Sequence, residues 1–327
     1  MKPSEVRNAL ETLIPIQQPA FIWGAPGVGK SDTLRQVTAG LSIGLLDIRA
    51  VLLDPVDLRG LPSINGDSRA HWCPPAFLPT DGEGVLFLDE LNAAPPLTQA
   101  ACYQLVLDRA LGEYRLPDGW TVIAAGNRET DKAVTHRMPS ALANRFVHLE
   151  FEVNLDDWVA WALKAGIKTE VIAFLRFRPS LLHKFDPKTN DKSFPTPRSW
   201  EFVSRILKAA PPAHLEFPLI AGAVGEGPAA EIVGFLRIFR NLPNPDLVLM
   251  NPEAAPVPTG PAELYALAGA LARKATDQTM ERLVRYANRM PAEFSVLLMT
   301  DAQTRNPEIV NTRAWIEWAS AHKDVIM

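Results

Sequence analysis

Eight consecutive residues, Gly24, Ala25, Pro26, Gly27, Val28, Gly29, Lys30 and Ser31, have the types and spacing to hold a chain of phosphates. They satisfy the pattern G-x-x-x-x-G-K-[ST], which needs a strand before it and a helix after it. Glycines let successive backbone N–H groups turn inward around phosphate oxygens, and the helix N-terminus adds partial positive charge. Lys30 would then reach the β- and γ-phosphates, and the Ser31 hydroxyl would ligate Mg²⁺. About sixty residues further on, the apolar run 85–88 ends in Asp89-Glu90. Two carboxylates at the end of a buried strand suit complementary tasks. Asp89 would hold Mg²⁺ through a water molecule, and Glu90 would polarise an attacking water as general base. No Asn-Lys-x-Asp run occurs, which disfavours a guanine nucleotide.

The elements that must position these groups follow from periodicity. Short apolar segments at 20–23, 45–53, 85–88, 121–125 and 146–151 read as strands, several of them apolar on both faces. Helical patterns alternate with them at 4–13, 30–40 and 97–109, which is the signature of an α/β domain with a parallel sheet. After residue 154 the strand pattern stops and helical spacing takes over. Six prolines fall within 243–261, which predicts a linker. The expected organisation is an α/β core at 1–152, an all-α segment at 153–242, the proline-rich linker, and a helical extension at 262–327.

Composition bounds the answer further. Of 327 residues, 47% are apolar and 21% charged, enough to build a sizeable core and too apolar for disorder. Proline is in excess at 29 residues, which predicts many hard stops between helices, a stiff linker, or both. Residues 1–150 carry 13 Lys and Arg against 17 Asp and Glu, and the remainder carries 20 against 20. Neither part has the basic balance of a general nucleic-acid binder. Two cysteines cannot build a disulfide framework, and no apolar run is long enough to cross a bilayer. A reduced, cytoplasmic protein with no membrane association is expected. His71 and Cys73 lack a second ligand pair for zinc. Arg282, Arg285 and Arg289 share one face of a helical pattern at 277–290, read foremost as a solvated face. Trp315 and Trp318 read as packing residues.

Four ordered segments carry a family resemblance. They are residues 24–31, the run Leu-Asp-Glu-Leu-Asn-Ala-Ala-Pro-Pro at 88–96, Ala-Ala-Gly-Asn at 124–127, and Met-Pro-Ser-Ala-Leu-Ala-Asn-Arg-Phe at 138–146. Thr-Pro-Arg-Ser at 196–199 adds a fifth. Together they resemble the MoxR-type AAA+ ATPases of the helix-2-insert group, over about residues 5–240. The resemblance implies an AAA+ P-loop core with a five-stranded parallel sheet, an all-α lid, and ATP with Mg²⁺ as ligands. It makes Asn127 the sensor-1 amide at the γ-phosphate or lytic water, and Arg198 the sensor-2 arginine of the lid. Arg145 matches the arginine finger that acts on a neighbouring subunit's nucleotide, with Arg137 a competitor and Arg128 a weaker one. The insert would be the hairpin-like stretch 110–120, with Glu113, Tyr114 and Arg115 as pore candidates. Ala93 departs from the arginine many relatives carry after the asparagine. The activity implied is ATP-driven remodelling of a partner protein by a ring, expected to be a hexamer. A von Willebrand A domain protein is a frequent partner in the family and would have to come in trans. The rival readings are a nucleic-acid-dependent motor, which is not favoured, and an ATP-gated assembly scaffold.

Overall fold

The computed structural model describes residues 1–64, 70–131, 136, 138–189 and 191–322. Two compact units emerge, one made chiefly of residues 1–154 and the other chiefly of 155–322. The first opens with helix α1 (Pro3–Leu13), whose Val6 and Leu10 are buried. Strand β1 (Ala20–Trp23), helix α2 (Lys30–Leu41), strand β2 (Gly44–Arg49) and helix α3 (Pro55–Arg59) follow. Next come an antiparallel pair, β3 (Leu61–Ile64) and β4 (Ala70–Cys73), then β5 (Gly84–Asp89) and α4 (Pro96–Asp108). A small hairpin of β6 (Ala110–Leu111) and β7 (Tyr114–Arg115) leads into β8 (Trp120–Gly126), α5 (Ser140–Ala143) and β9 (Val147–Glu150).

Five of these strands form one parallel sheet in the order β2-β5-β8-β1-β9. The central strands β5 and β8 are apolar on both faces because both faces are covered. Alternate residues point to opposite sides. Leu86, Leu88, Val122 and Ala124 pack with Cys102 and Leu105 of α4, while Val85, Phe87, Ile123 and Ala125 pack with α1 and α2. The strand predicted over 45–53 stops at Arg49, and residues Ala50–Leu52 form a 3-10 turn. The cause is its partner: Arg49 pairs with Asp89, the last residue of β5, so nothing remains beyond it to pair with. The fold is α/β with a five-stranded parallel sheet, and every described element after β9 is helical.

The second unit contains α6 (Leu155–Lys164), α7 (Thr169–Phe177), α8 (Pro197–Lys208), α9 (Ala213–Val224) and α10 (Glu226–Arg240). It continues with α11 (Pro245–Met250), α12 (Pro261–Ala272), α13 (Met280–Ala287), α14 (Ala292–Arg305) and α15 (Arg313–Ala321). Proline opens α1, α3, α4, α8, α11 and α12. A first-turn N–H has no intrahelical partner, so proline loses nothing there and its fixed φ suits the helix. Part of the proline excess is thus used to start helices. It does not produce a free linker at 243–261. Val248 and Leu249 of α11 are buried with Leu267, Leu283 and Leu298. Proline carbonyls still accept hydrogen bonds, and the Tyr286 hydroxyl donates to the carbonyl of Pro256 at 2.8 Å. Arg289 Nη1 donates to the carbonyls of Pro252 (2.6 Å) and Ala255 (2.8 Å). Arg285 pairs with Glu281 and Glu253, so two of the three arginines on that helix face are engaged within their own unit. Trp318 is buried and donates from Nε1 to Ser295 Oγ at 3.1 Å, a packing role.

Candidate functional site

The carboxyl ends of β1, β5 and β8 lie side by side, with β8 between the other two. In an open parallel sheet this edge is where ligands are held. Residues 24–29 leave β1 here, and two of their glycines have backbone angles that only glycine adopts readily: φ is 74° at Gly27 and 105° at Gly29. Space beside Gly29 is open, with no atom within 4 Å of where a Cβ would stand. The loop feeds directly into Lys30, the first residue of α2.

Lys30 is buried, and its ammonium is held by acceptors on three sides. Nζ donates to the carbonyls of Gly24 (2.6 Å) and Ala25 (3.1 Å), and to Asn127 Oδ1 (3.1 Å). An ammonium has only donors, so the Asn127 oxygen must face it and the Asn127 NH₂ must face the other way. That amide is thereby oriented as a hydrogen-bond donor just past the end of β8. The next residue, Ser31, donates from its hydroxyl to Asp89 Oδ2 at 2.9 Å. Asp89 Oδ1 accepts the backbone N–H of Glu90 at 3.0 Å. Both Asp89 oxygens are therefore committed to fixed partners, while Glu90 stands exposed beside it. Glu90 has φ 57° and ψ 32°, a left-handed conformation that costs a non-glycine residue about 1–2 kcal/mol. Such strain is held only where surrounding contacts fix it. Here it turns the chain sharply from β5 into the 3-10 turn Leu91–Ala93.

The structure thus brings together Gly24 through Ser31, Asp89, Glu90 and Asn127. Ser31 Oγ and the Asp89 carboxylate are hard oxygen ligands of the kind Mg²⁺ prefers. Their mutual hydrogen bond sets them close enough to serve one ion, and Lys30 and the open loop supply the charge and backbone for phosphate. The residues present fit a magnesium–nucleotide complex.

Other predicted positions fare differently. Arg145 is exposed in the turn between α5 and β9. Arg137 lies outside the described residues. Arg128 is engaged within its own unit, pairing with Glu150 at 2.9 Å and donating to the Phe151 carbonyl at 3.0 Å. Arg198 sits in the second unit, exposed in the first turn of α8. Its Thr-Pro-Arg-Ser run makes a capping box, with Ser199 N–H donating to Thr196 Oγ1 at 3.0 Å and Thr196 N–H to Ser199 Oγ at 2.7 Å. The stretch 110–120 does carry a hairpin, but Tyr114 cannot line a pore. It is 8% exposed and its hydroxyl donates to the Pro79 carbonyl at 2.7 Å, while burial pushes its pKa up to about 12. Ala93 ends the 3-10 turn after Glu90.

One residue with no role assigned from sequence stands inside the site. Asn92 is 2% exposed, and its Nδ2 donates to the Asn127 carbonyl at 2.7 Å. A polar residue between Leu91 and Ala93 gives no periodic signal, and only the partner 35 positions away reveals its use.

Comparison with known proteins adds little at the level of sequence: no family model and no curated protein matches the chain. Among solved structures, NtrX from Brucella abortus in complex with ADP is 16% identical, at a TM-score of 0.42 over 99% of this chain and 68% of that one. Thermotoga maritima RuvB, a Holliday junction branch migration motor, is 15% identical, at a TM-score of 0.37 over 82% of this chain and 79% of that one. Among the described residues no helix is long and apolar enough to cross a membrane.

Proposed function

We propose that the chain is a Mg²⁺-dependent ATPase of the MoxR-type AAA+ class that works as a ring, hexameric by resemblance, and remodels a partner protein. The observation that carries the reading is the convergence of Lys30, Ser31, Asp89, Glu90 and Asn127 at one sheet edge, through the Ser31–Asp89 and Lys30–Asn127 hydrogen bonds.

In this reading the loop N–H groups and Lys30 bind the phosphates, and Lys30 exchanges protein acceptors for phosphate oxygens. When bound by Ser31 and Asp89, Mg²⁺ supplies charge neutralisation at the β- and γ-phosphates. Glu90 takes a proton from the attacking water, and the Asn127 NH₂ orients that water or a γ-phosphate oxygen. The exposed Arg145 is the finger offered to a neighbouring subunit, with Arg198 the lid arginine. Leu52, Val56 and Leu97 are 72%, 53% and 73% exposed, on elements that follow β2 and flank Asp89-Glu90, and are candidates for subunit contact. Apolar surface of this kind marks contact sites when it is contiguous. The partner is a protein, a von Willebrand A domain being the class the resemblance suggests.

Two measurements test the reading. Titration of a fluorescent ATP analogue should show binding that weakens about 10- to 100-fold in Lys30→Ala, the loss expected for a charged hydrogen-bonding group. Equal affinity in both proteins would remove the phosphate loop from the account. Light scattering at micromolar protein with ATP and Mg²⁺ should show an oligomer. A monomer under those conditions would sink the ring.

A further inference from the structure

Asn92 lies at a junction that the proposed chemistry does not itself require. It follows the strained Glu90 by two residues, in the turn Leu91–Ala93, and its side chain reaches across to the end of β8. Three contacts meet on it. Nδ2 donates to the backbone carbonyl of Asn127 at 2.7 Å. Its own backbone carbonyl accepts the N–H of His136 at 2.7 Å. Its Oδ1 is buried without a hydrogen-bond partner, pressed against Gly126. The fit there is close: a Cβ at Gly126 would lie 2.7 Å from Asn92 Cγ and nearer still to Oδ1. Glycine is therefore demanded at 126 by the Asn92 side chain, although its backbone angles are not left-handed.

A buried carbonyl oxygen without a partner costs about 1–3 kcal/mol relative to a satisfied one. Leucine or alanine at 92 would remove the orphaned oxygen, but with it the donor to the Asn127 carbonyl. What the amide provides instead is a single short bond to the backbone of the residue whose side chain receives Lys30. That bond fixes where the Asn127 Cα stands, and so where its NH₂ points.

We infer that Asn92 is a positioning residue that couples the carboxylate turn after β5 to the Asn127 amide. Any movement of the Asp89-Glu90 turn is transmitted to Asn127 through this bond, and the backbone N–H of His136 is tied to the same turn. The inference rests on the ATPase reading, since its effect is exerted on a hydrolytic step.

Asn92→Asp tests it with little change of volume. The aspartate keeps the shape but replaces the donor with an oxygen facing the Asn127 carbonyl. Asn92→Ser, smaller and able to donate, guards against misfolding of the first variant. Turnover is expressed per nucleotide-binding site, counted by stoichiometric titration with a non-hydrolysable ATP analogue, so unfolded protein does not enter the rate. The expected result is kcat lower by about tenfold or more in both variants, with KM for ATP and analogue affinity within about twofold of wild type. The loss should be smaller in Asn92→Ser, where a hydroxyl can partly replace the amide. A merely structural role would reduce the number of binding sites and leave kcat per site unchanged, and that result would overturn the inference alone. Absence of turnover in the wild-type chain would overturn it together with the ATPase reading.

Discussion

Glu90→Gln is expected to leave ATP bound and lower its hydrolysis by about 10²–10⁴-fold, the range for removal of a general base. The substitution keeps volume and removes only the ability to take a proton. Glu90 is exposed, and the contact that fixes its place is made by its backbone N–H to Asp89 Oδ1, which glutamine preserves. The Ser31–Asp89 and Lys30–Asn127 hydrogen bonds are also untouched. Binding and chemistry should therefore separate cleanly. Single-turnover phosphate release, with a parallel nucleotide titration, measures the two. Undiminished hydrolysis would remove Glu90 from the role of base and leave the rest of the site standing.

Asp301→Ala is expected to destabilise the second unit by about 3–5 kcal/mol, as when one partner of a buried ion pair is removed. Asp301 on α14 accepts both Nη1 and Nη2 of Arg176 on α7 at 2.6 Å, and the two side chains are 3% and 14% exposed. A third charge raises the stakes. Desolvation lowers the pKa of Arg305, Asp301 opposes that shift, and Arg273 and Arg176 add to it. With Asp301 gone, Arg176 and Arg305 would face each other across a poorly hydrated space. Surface pairs offer the contrast: Arg285 and Glu281 are 54% and 72% exposed, and breaking that pair should cost about 0–1 kcal/mol. Urea unfolding of Asp301→Ala and Glu281→Ala compares the two pairs directly. A midpoint for Asp301→Ala equal to wild type would show that the bridge is not needed to hold α7 against α14.

The contrast between these two predictions shows where sequence reading succeeds. The phosphate loop and Asp89-Glu90 are legible because each is a short motif at a strand end, and Asn127 is reached through the family resemblance at the end of β8. Backbone geometry over a few residues then decides where the side chain goes. The sheet is legible because buried parallel strands are continuous apolar runs, as in β5 and β8. Arg176 and Asp301 are 125 positions apart, and no local pattern links them. Asn92 is hidden in the same way. The segment 243–261 misleads for another reason. Proline suits a linker and a helix start equally well, and only the burial of Val248 and Leu249 separates the two. Tyr114 misleads because a hairpin tip exposes some side chains and buries others. Its outcome rests on Pro79, in the turn-rich stretch before β5.

The central claim is that the site at the ends of β1, β5 and β8 binds ATP and hydrolyses it. Steady-state phosphate release by the wild-type chain with ATP and Mg²⁺, beside Lys30→Ala under the same conditions, tests this most directly. The account predicts sustained release by the wild type and loss of that release in Lys30→Ala. Equal release by the two proteins, or none by a wild-type chain shown to be folded and assembled, would contradict it.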